Sequence, residues 1–490
     1  MAKTIGKYWN IVLSVLVGIG VFLFWYVAYP HALGYQEQYQ LFLWTGDYFL
    51  ERISVPGGLA DWLGEFIVQF YYVEWLGALL LALLFVVLQR LTALLLPRGA
   101  WRLLSLLPVA FFWWLMGDPS VLLSLPIAVI LSLAACCVLR RVSVWADLAV
   151  VPVLYWLLGP AVWVYVVLRI VDLGWRHAWM AGWLVAVQLL AYAFLLPQWP
   201  LQTVMTGRSY YRIPLHYPSL DGYDKEMYEL IREDYLVRHE RWDEIVTRAR
   251  DYQVRTAFSS VCVNLALAQK RQLADRMFDF YQSGEDALVM PRVRDLTSML
   301  PSAEVFWHLG MVNSAQRYMF DTQESILNGR RSGRCTKRIA ECMLVNGHYK
   351  VAAKQLDILK MSLFYKAWAD SVELTDAWVN AHPVYGKQRR LRYKENYLYS
   401  YAEIDKMFGL LFMANHENRM ALDYFMGQML LKGELQGFQQ YMGWVQQYGG
   451  YRQMPLGYQD AMLCIKRQGA VPGSPYATYV KRVMAERREE

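Results

Sequence analysis

Three groups of residues are of a type and spacing that could carry chemistry. Glu37 and Asp47 lie in a stretch, residues 30–74, where Tyr and Trp alternate with carboxylates and amides. A carboxylate there could act as a base, or as a metal ligand beside a lipid phosphate. No DxD pair accompanies them, and His31 is the only histidine nearby. The second group is basic. It comprises Lys387-Gln-Arg-Arg-Leu-Arg-Tyr-Lys394, with Arg389, Arg390 and Arg392, and the set Arg330, Arg331, Arg334, Lys337 and Arg338. Arg forks hold carboxylate and phosphate bidentately, so either cluster could meet an anionic headgroup, an acidic peptide or a glycan phosphate. A solvated helix face is the plainer reading. The third group is Asn418 and Arg419, which open a helix and could clamp a peptide backbone or carboxylate.

Familiar catalytic signatures are absent: no GxxxxGK[ST], no GxGxxG after a strand, no HExxH and no GxSxG. The eight histidines are dispersed, although His308 and His348 sit near turns of different helix pairs and could converge in a groove. The six cysteines form no CxxC. Cys335 and Cys342 are separated by about 10 Å along a helix, too far for a disulfide. Free thiols are expected, with no metal site and no cofactor. The net charge of +7 divides as +1 before residue 200 and +6 after it, a mild excess spread over the whole soluble half, which argues against nucleic acid as a partner.

The elements that must position these residues divide at about residue 200. Residues 1–199 carry 10 basic and 9 acidic side chains, whereas residues 200–490 carry 39 and 33. The first part is thus about 10% charged and the second about 25%, the latter ordinary for a soluble domain. This excludes both a single compact soluble enzyme and a disordered chain. Apolar runs long enough for a bilayer cover Trp9–Tyr29, Trp75–Leu96, Leu103–Met116, Val121–Leu139 and Ala178–Leu196. The stretch Val142–Val171 has Gly159-Pro160 at its middle. It reads either as one tilted helix or as two short ones turning there. Two helices place Arg169 and Arg176 on the cytoplasmic side, as the positive-inside rule prefers. The total is then about seven spans, with residues 198–490 outside the cytoplasm; six spans would put them inside. Residues 30–74 become an outside loop of interfacial helices, with rings at headgroup depth.

Beyond the linker at 198–222, the apolar spacing is helical throughout. Helix pairs centre on Glu240, Arg271, Gly310, Gly347 and Gly433, in steps of 31, 39, 37 and 86 residues. The clearest pair places small residues at Ala340 and Ala352 and large ones at Ile339, Met343, Leu356 and Leu359. A second places Ala303 and Ala315 beside Phe306 and Met319. Two antiparallel helices approach closely only where each is small. The stretch 362–405 holds an insertion or a further pair. The expected organisation is all-α: a transmembrane domain over 1–197, a helical repeat domain over 223–445 and a helical tail over 446–490.

The repeat half resembles tetratricopeptide (TPR) type α-solenoids. The whole chain resembles an uncharacterised bacterial family of multi-pass membrane proteins with helical-repeat C-terminal halves. The segments that carry this are Tyr35-Gln-Glu-Gln-Tyr-Gln-Leu-Phe-Leu, Pro56-Gly-Gly-Leu59 and Glu417-Asn-Arg-Met-Ala-Leu-Asp-Tyr-Phe425. TPR-like solenoids hold peptides or proteins in a concave groove, so the resemblance implies a protein or peptide partner. The expectation is a cytoplasmic (inner) membrane protein, in contact with lipid, whose C-terminal domain is periplasmic. The alternative is an enzyme similar to membrane glycosyltransferases that use lipid-linked sugars, which carry catalytic carboxylates in their first outside loop. That likeness would give the role to Glu37 and Asp47.

Overall fold

The computed structural model describes residues 2–97, 99–206, 222–291, 299–326, 330–394, 401–466 and 473–489, and among them there are helices and no β-strand. Most of the linker, residues 207–221, lies outside the described residues, as does Arg98. The chain divides into two units. The first comprises Met1–Tyr228, Ile326–Gly333 and Ile358–Asp370; the second comprises Glu229–Ser325, Arg334–Asp357 and Ser371–Glu490.

The helices of the first 206 residues are α1 (Ala2–Leu23), α2 (Pro30–Gln38), α3 (Gly46–Ile53), α4 (Gly58–Val68), α5 (Glu74–Leu95), α6 (Leu106–Leu115), α7 (Ser124–Leu139), α8 (Asp147–Leu158), α9 (Trp163–Leu173), α10 (Trp179–Phe194) and α11 (Leu201–Thr206). Four helical stretches are long and apolar enough to cross a membrane: Trp9–Ala28, Glu74–Leu95, Val144–Leu173 and Trp175–Phe194. Two shorter apolar ones are Trp101–Leu115 and Ser124–Leu139.

The third long stretch does not run straight. Arg169 Nε stands 3.1 Å from Asp147 Oδ2, and the Tyr165 hydroxyl donates to Asp147 Oδ1 at 2.5 Å. A straight helix would hold residues 147 and 169 roughly 33 Å apart. The chain therefore doubles back at Gly159-Pro160, where Gly159 has a φ of +68°. Ser132 Oγ donates to the Ala161 carbonyl at 3.3 Å, which sets the bend level with the middle of α7. Each arm is about 17–18 Å long, little more than half a hydrocarbon core.

Polar contacts sort the ends of this bundle. Ser14 donates to Gln89 at 2.6 Å and Gln89 to Ser105 at 2.8 Å, which sets the start of α1 level with the end of α5. Such interhelical bonds between apolar helices are worth about 0.6 kcal/mol each. Arg140 pairs with Asp172 at 2.9 Å, and Arg169 donates to the carbonyls of Arg140 and Val142. This end carries Arg90, Arg102, Arg140, Arg141, Arg169 and Arg176. At the opposite end, Gln36 on α2 donates to the Val121 carbonyl at 2.8 Å, and Tyr29 to Tyr223 at 2.9 Å. That end carries seven of the nine acidic residues of the first 199: Glu37, Asp47, Glu51, Asp61, Glu65, Glu74 and Asp118. The extended residues between α2 and α3 also lie there. The Leu41 N–H donates to the Arg331 carbonyl at 2.9 Å and the Trp44 N–H to the Met361 carbonyl at 2.8 Å.

The remaining helices are α12 (Lys225–Arg238), α13 (Trp242–Asp251), α14 (Ala257–Gln269), α15 (Leu273–Arg276), α16 (Met299–Leu309), α17 (Val312–Glu324), α18 (Gly333–Asn346), α19 (Tyr349–Lys360), α20 (Lys366–Ser371), α21 (Asp376–Ala381), α22 (Pro383–Leu391), α23 (Ile404–Ala414), α24 (Arg419–Lys432), α25 (Leu435–Tyr448), α26 (Leu456–Lys466) and α27 (Pro475–Glu489). They build the second unit, except that the first residues of α12, Gly333, the end of α19 from Ile358 and α20 up to Asp370 belong to the first. Five junctions share one construction. Glu240, Arg271, Gly310, Gly347 and Gly433 all have positive φ, from 53° to 81°. At each, the next N–H donates five residues back: Arg241 to Leu236, Gln272 to Leu267, Met311 to Phe306, His348 to Met343 and Glu434 to Met429, at 2.8–2.9 Å. The positive-φ residue itself donates three residues back. This Schellman pairing satisfies the last carbonyls of one helix and aims the chain into the next. Around the junctions, Ala303, Ala315, Ala340 and Ala352 are buried, as are Phe306, Met319, Ile339 and Met343.

Candidate functional site

The densest set of buried charge lies in the first unit, on α3 and α4. Thr45 caps α3 by accepting from the Tyr48 N–H. One turn apart on that helix, Tyr48 and Arg52 face inward; one turn apart on α4, Asp61 and Glu65 do the same. Gly58 lets the two helices close up, because the Arg52 carbonyl lies where a Cβ would stand. Glu65 Oε2 accepts from Arg52 Nε at 3.0 Å and from the Tyr48 hydroxyl. Glu65 Oε1 accepts from Arg330 Nε at 2.7 Å, and Arg330 Nη2 reaches Asp61 Oδ1. All four charged side chains are buried.

Two guanidinium groups thus face two carboxylates, and the formal charges cancel. Burial pushes the Asp61 carboxyl above its usual range, against the pull of Arg330. Burial, reinforced by Glu65, pushes the Tyr48 hydroxyl far up, so it stays protonated and donates. Charge-assisted forks of this kind are strong and directional. Their chemical capacity here is to clamp Arg330 onto α4, since both carboxylates face guanidinium donors.

Glu37 and Asp47 have different settings. Glu37 is buried and its Oε1 accepts from the Tyr365 hydroxyl at 2.7 Å. Asp47 is exposed in the first turn of α3, where a negative charge suits the helix dipole. Among the described residues, no three His, Cys, Asp or Glu side chains converge to hold a metal ion. All six cysteines are free.

The family of unknown function DUF6057 matches residues 7–490. The chain belongs to this family. No curated protein and no solved structure matches it significantly.

In this DUF6057 chain the cluster of residues 387–394 lies in the second unit, across two junctions. Arg389 donates to the carbonyls of Leu344 (3.0 Å) and Val345 (3.2 Å), and to Tyr349, Asp376 and Asn380. Arg392 donates to Val345 and to Asn346 Oδ1. Both therefore cap the end of α18 beside Gly347. Asn418 is buried; it caps α24 and donates to the Leu309 carbonyl, beside Gly310, at 2.8 Å. Arg390 and Arg419 are exposed. The guanidinium of Arg419 lies against Gly450. His308 packs edge-on to Trp242 at 5.6 Å, while His348 closes the Gly347 junction through its backbone.

The other basic set is divided between the units. In the second unit, Arg334 pairs with Asp234 at 2.6 Å, and Arg338 pairs with Glu304 (2.8 Å) and Glu341 (2.7 Å) over the Trp307 ring. Burial alone would raise the Glu304 carboxyl, but Arg338 and Arg334 hold it below its usual range. Sequence reasoning passed over Asp61, Glu65, Tyr48 and Arg52. Their signal was present: two pairs spaced four apart on adjacent short helices. Arg330 carried no comparable local signal.

Proposed function

We propose that this chain is a cytoplasmic-membrane protein that presents a TPR-like helical-repeat domain, outside the cytoplasm, as a platform for a protein or peptide partner. The observation that carries the reading is the repeated junction. Five helix ends in the second unit close with the same pair of hydrogen bonds, two of them on residues other than glycine. A repeated helix-turn-helix unit buries its apolar face only against a neighbour, and the resulting array leaves an extended surface for binding. Exposed Arg390 and Arg419 are candidate contacts on that surface.

Orientation follows from charge. The end with Arg102, Arg140, Arg141 and Arg176 is assigned to the cytoplasm by the positive-inside rule. The acidic end, where Glu37, Asp61 and Glu65 meet residues 330 and 365, is then outside. Of the seven apolar helices, α1, α5, α6, α7 and α10 alternate between these ends, and α8 and α9 form a half-depth hairpin entered from the basic side.

The test uses the full-length chain in native membranes, because residues 326–333 and 358–370 pack with the first unit. A photo-crosslinking amino acid at Arg390 or Arg419 is expected to capture one discrete protein partner. Absence of any adduct at both positions, in protein of normal abundance, would remove the platform reading. An alkaline phosphatase fused to the C-terminus is expected to be active; an inactive but stable fusion reverses the orientation.

A further inference from the structure

Residues 360–366 read Lys-Met-Ser-Leu-Phe-Tyr-Lys. They belong to the first unit, with their apolar tip at the acidic end of the helix bundle. The backbone of Met361 accepts from Trp44. Phe364 stacks on Tyr72 with ring centres 5.1 Å apart, and meets Phe70 edge-on at 5.9 Å. Tyr365 is buried against Tyr72 and donates to Glu37. These contacts fix the tip, yet Leu363 remains 47% exposed and Met361 37%. Beside them Trp44 (55%) and Tyr72 are exposed as well.

This patch continues into a membrane-length helix. Tyr72 precedes α5 by two residues, and Trp75, in the first turn of α5, is half exposed. Trp and Tyr concentrate at the level of lipid headgroups because one side of the ring is apolar and the other wet. Lys366, at the far side of the tip, pairs with Asp370 at 3.4 Å. We infer that residues 360–366 are a second membrane contact, in which Met361 and Leu363 enter the headgroup–acyl boundary of the lipid leaflet at the acidic end, beside the rings of Trp44 and Tyr72. The occupant is phospholipid rather than a protein, because the patch is continuous with the exposed apolar face of α5, along Trp75, Leu79 and Leu83. The inference rests on the membrane-spanning reading given above.

The experiment uses the full-length chain in nanodiscs, with Cys137→Ser to remove the one cysteine that is not buried. Leu363→Cys carries an environment-sensitive nitrobenzoxadiazole label, and Met361→Cys provides a second position. Leu16→Cys, on the exposed face of α1, is the control. A lipid with a nitroxide high on its acyl chain is expected to quench the label at both tip positions, while aqueous iodide leaves it bright. Quenching by iodide alone overturns the inference. Protection from both quenchers also overturns it, in favour of a protein cover. If Leu16 too escapes the lipid quencher, the membrane-spanning reading itself has failed; if only the tip escapes, that reading stands and the anchor does not.

Discussion

Arg330 and Glu65 are 265 positions apart in the chain, and Arg330 Nε lies 2.7 Å from Glu65 Oε1. Both side chains are almost fully withdrawn from solvent, at 4% and 1%. Removing one partner from a buried ion pair leaves a charge without compensation and costs about 3–5 kcal/mol. Arg330→Ala is therefore expected to lower the unfolding midpoint of the detergent-solubilised chain strongly, followed by tryptophan fluorescence. Arg330→Lys keeps the charge but loses the fork and should fall between. Combining Arg330→Met with Asp61→Asn leaves the Arg52–Glu65 pair balanced and should recover much of the loss. An unchanged midpoint for Arg330→Ala would show that no clamp exists.

Arg389 and Arg390 are neighbours in sequence with opposite settings. Arg389 holds the last carbonyls of α18, whereas Arg390 is exposed. A hydrogen bond to a charged group contributes about 1.5–3 kcal/mol, and exposed substitutions usually stay within about 0.5 kcal/mol. Arg389→Ala should destabilise the chain by about 1–3 kcal/mol, with Arg390→Ala near neutral. Thermal unfolding of the two variants side by side decides it; the reverse order would refute the capping role.

The same contrast explains what could be read from sequence. Turn centres at Gly310, Gly347 and Gly433 were legible because glycine tolerates the left-handed conformation a Schellman turn needs. Glu240 and Arg271 were legible only from the apolar spacing on either side. The bend at Gly159-Pro160 was legible from its residue types, while its depth beside Ser132 was not. Arg389 and Arg392 could not be assigned, since their acceptors are backbone carbonyls some 45 positions away, and a carbonyl has no sequence signature. Asp61 and Glu65 were legible as a helix face, but their partner Arg330 is fixed by tertiary packing alone.

Asp423 gives the second unit a pH dependence. It is buried, and Tyr451 and Tyr458 donate to its Oδ1. Burial pushes its carboxyl up from 3.8 to about 7; Asp275 acts in the same direction and Arg419 against it. The folded value lies above the unfolded one. Its contribution to stability is thus complete below about pH 3.8 and is lost as pH rises through about 7. Each unit corresponds to about 1.4 kcal/mol, so the total is on the order of a few kcal/mol. Asp423→Asn accepts the same hydroxyls without ionising. It should be more stable than wild type at about pH 8, with the difference shrinking as pH falls and closing near about pH 3.8, the lower edge of the window between the two values. Unfolding midpoints across that range that run parallel in the two proteins would exclude the effect.

The five junctions predict a ranking among single substitutions. A residue with a Cβ in the left-handed region is strained by about 1–2 kcal/mol relative to glycine. Glu240→Gly and Arg271→Gly remove that strain, against some added chain entropy in the unfolded state, and should raise stability by about 0.5–1 kcal/mol. Gly433→Ala meets open space, so it carries the backbone strain alone. At Gly310 a Cβ would lie 2.6 Å from the Leu391 carbonyl oxygen, so Gly310→Ala must also displace the segment that follows α22. The expected order of stability loss is Gly310→Ala above Gly433→Ala, with both glycine replacements at Glu240 and Arg271 on the stabilising side. If Gly310→Ala and Gly433→Ala prove equal in chemical denaturation, the α22 exit does not rest on this junction.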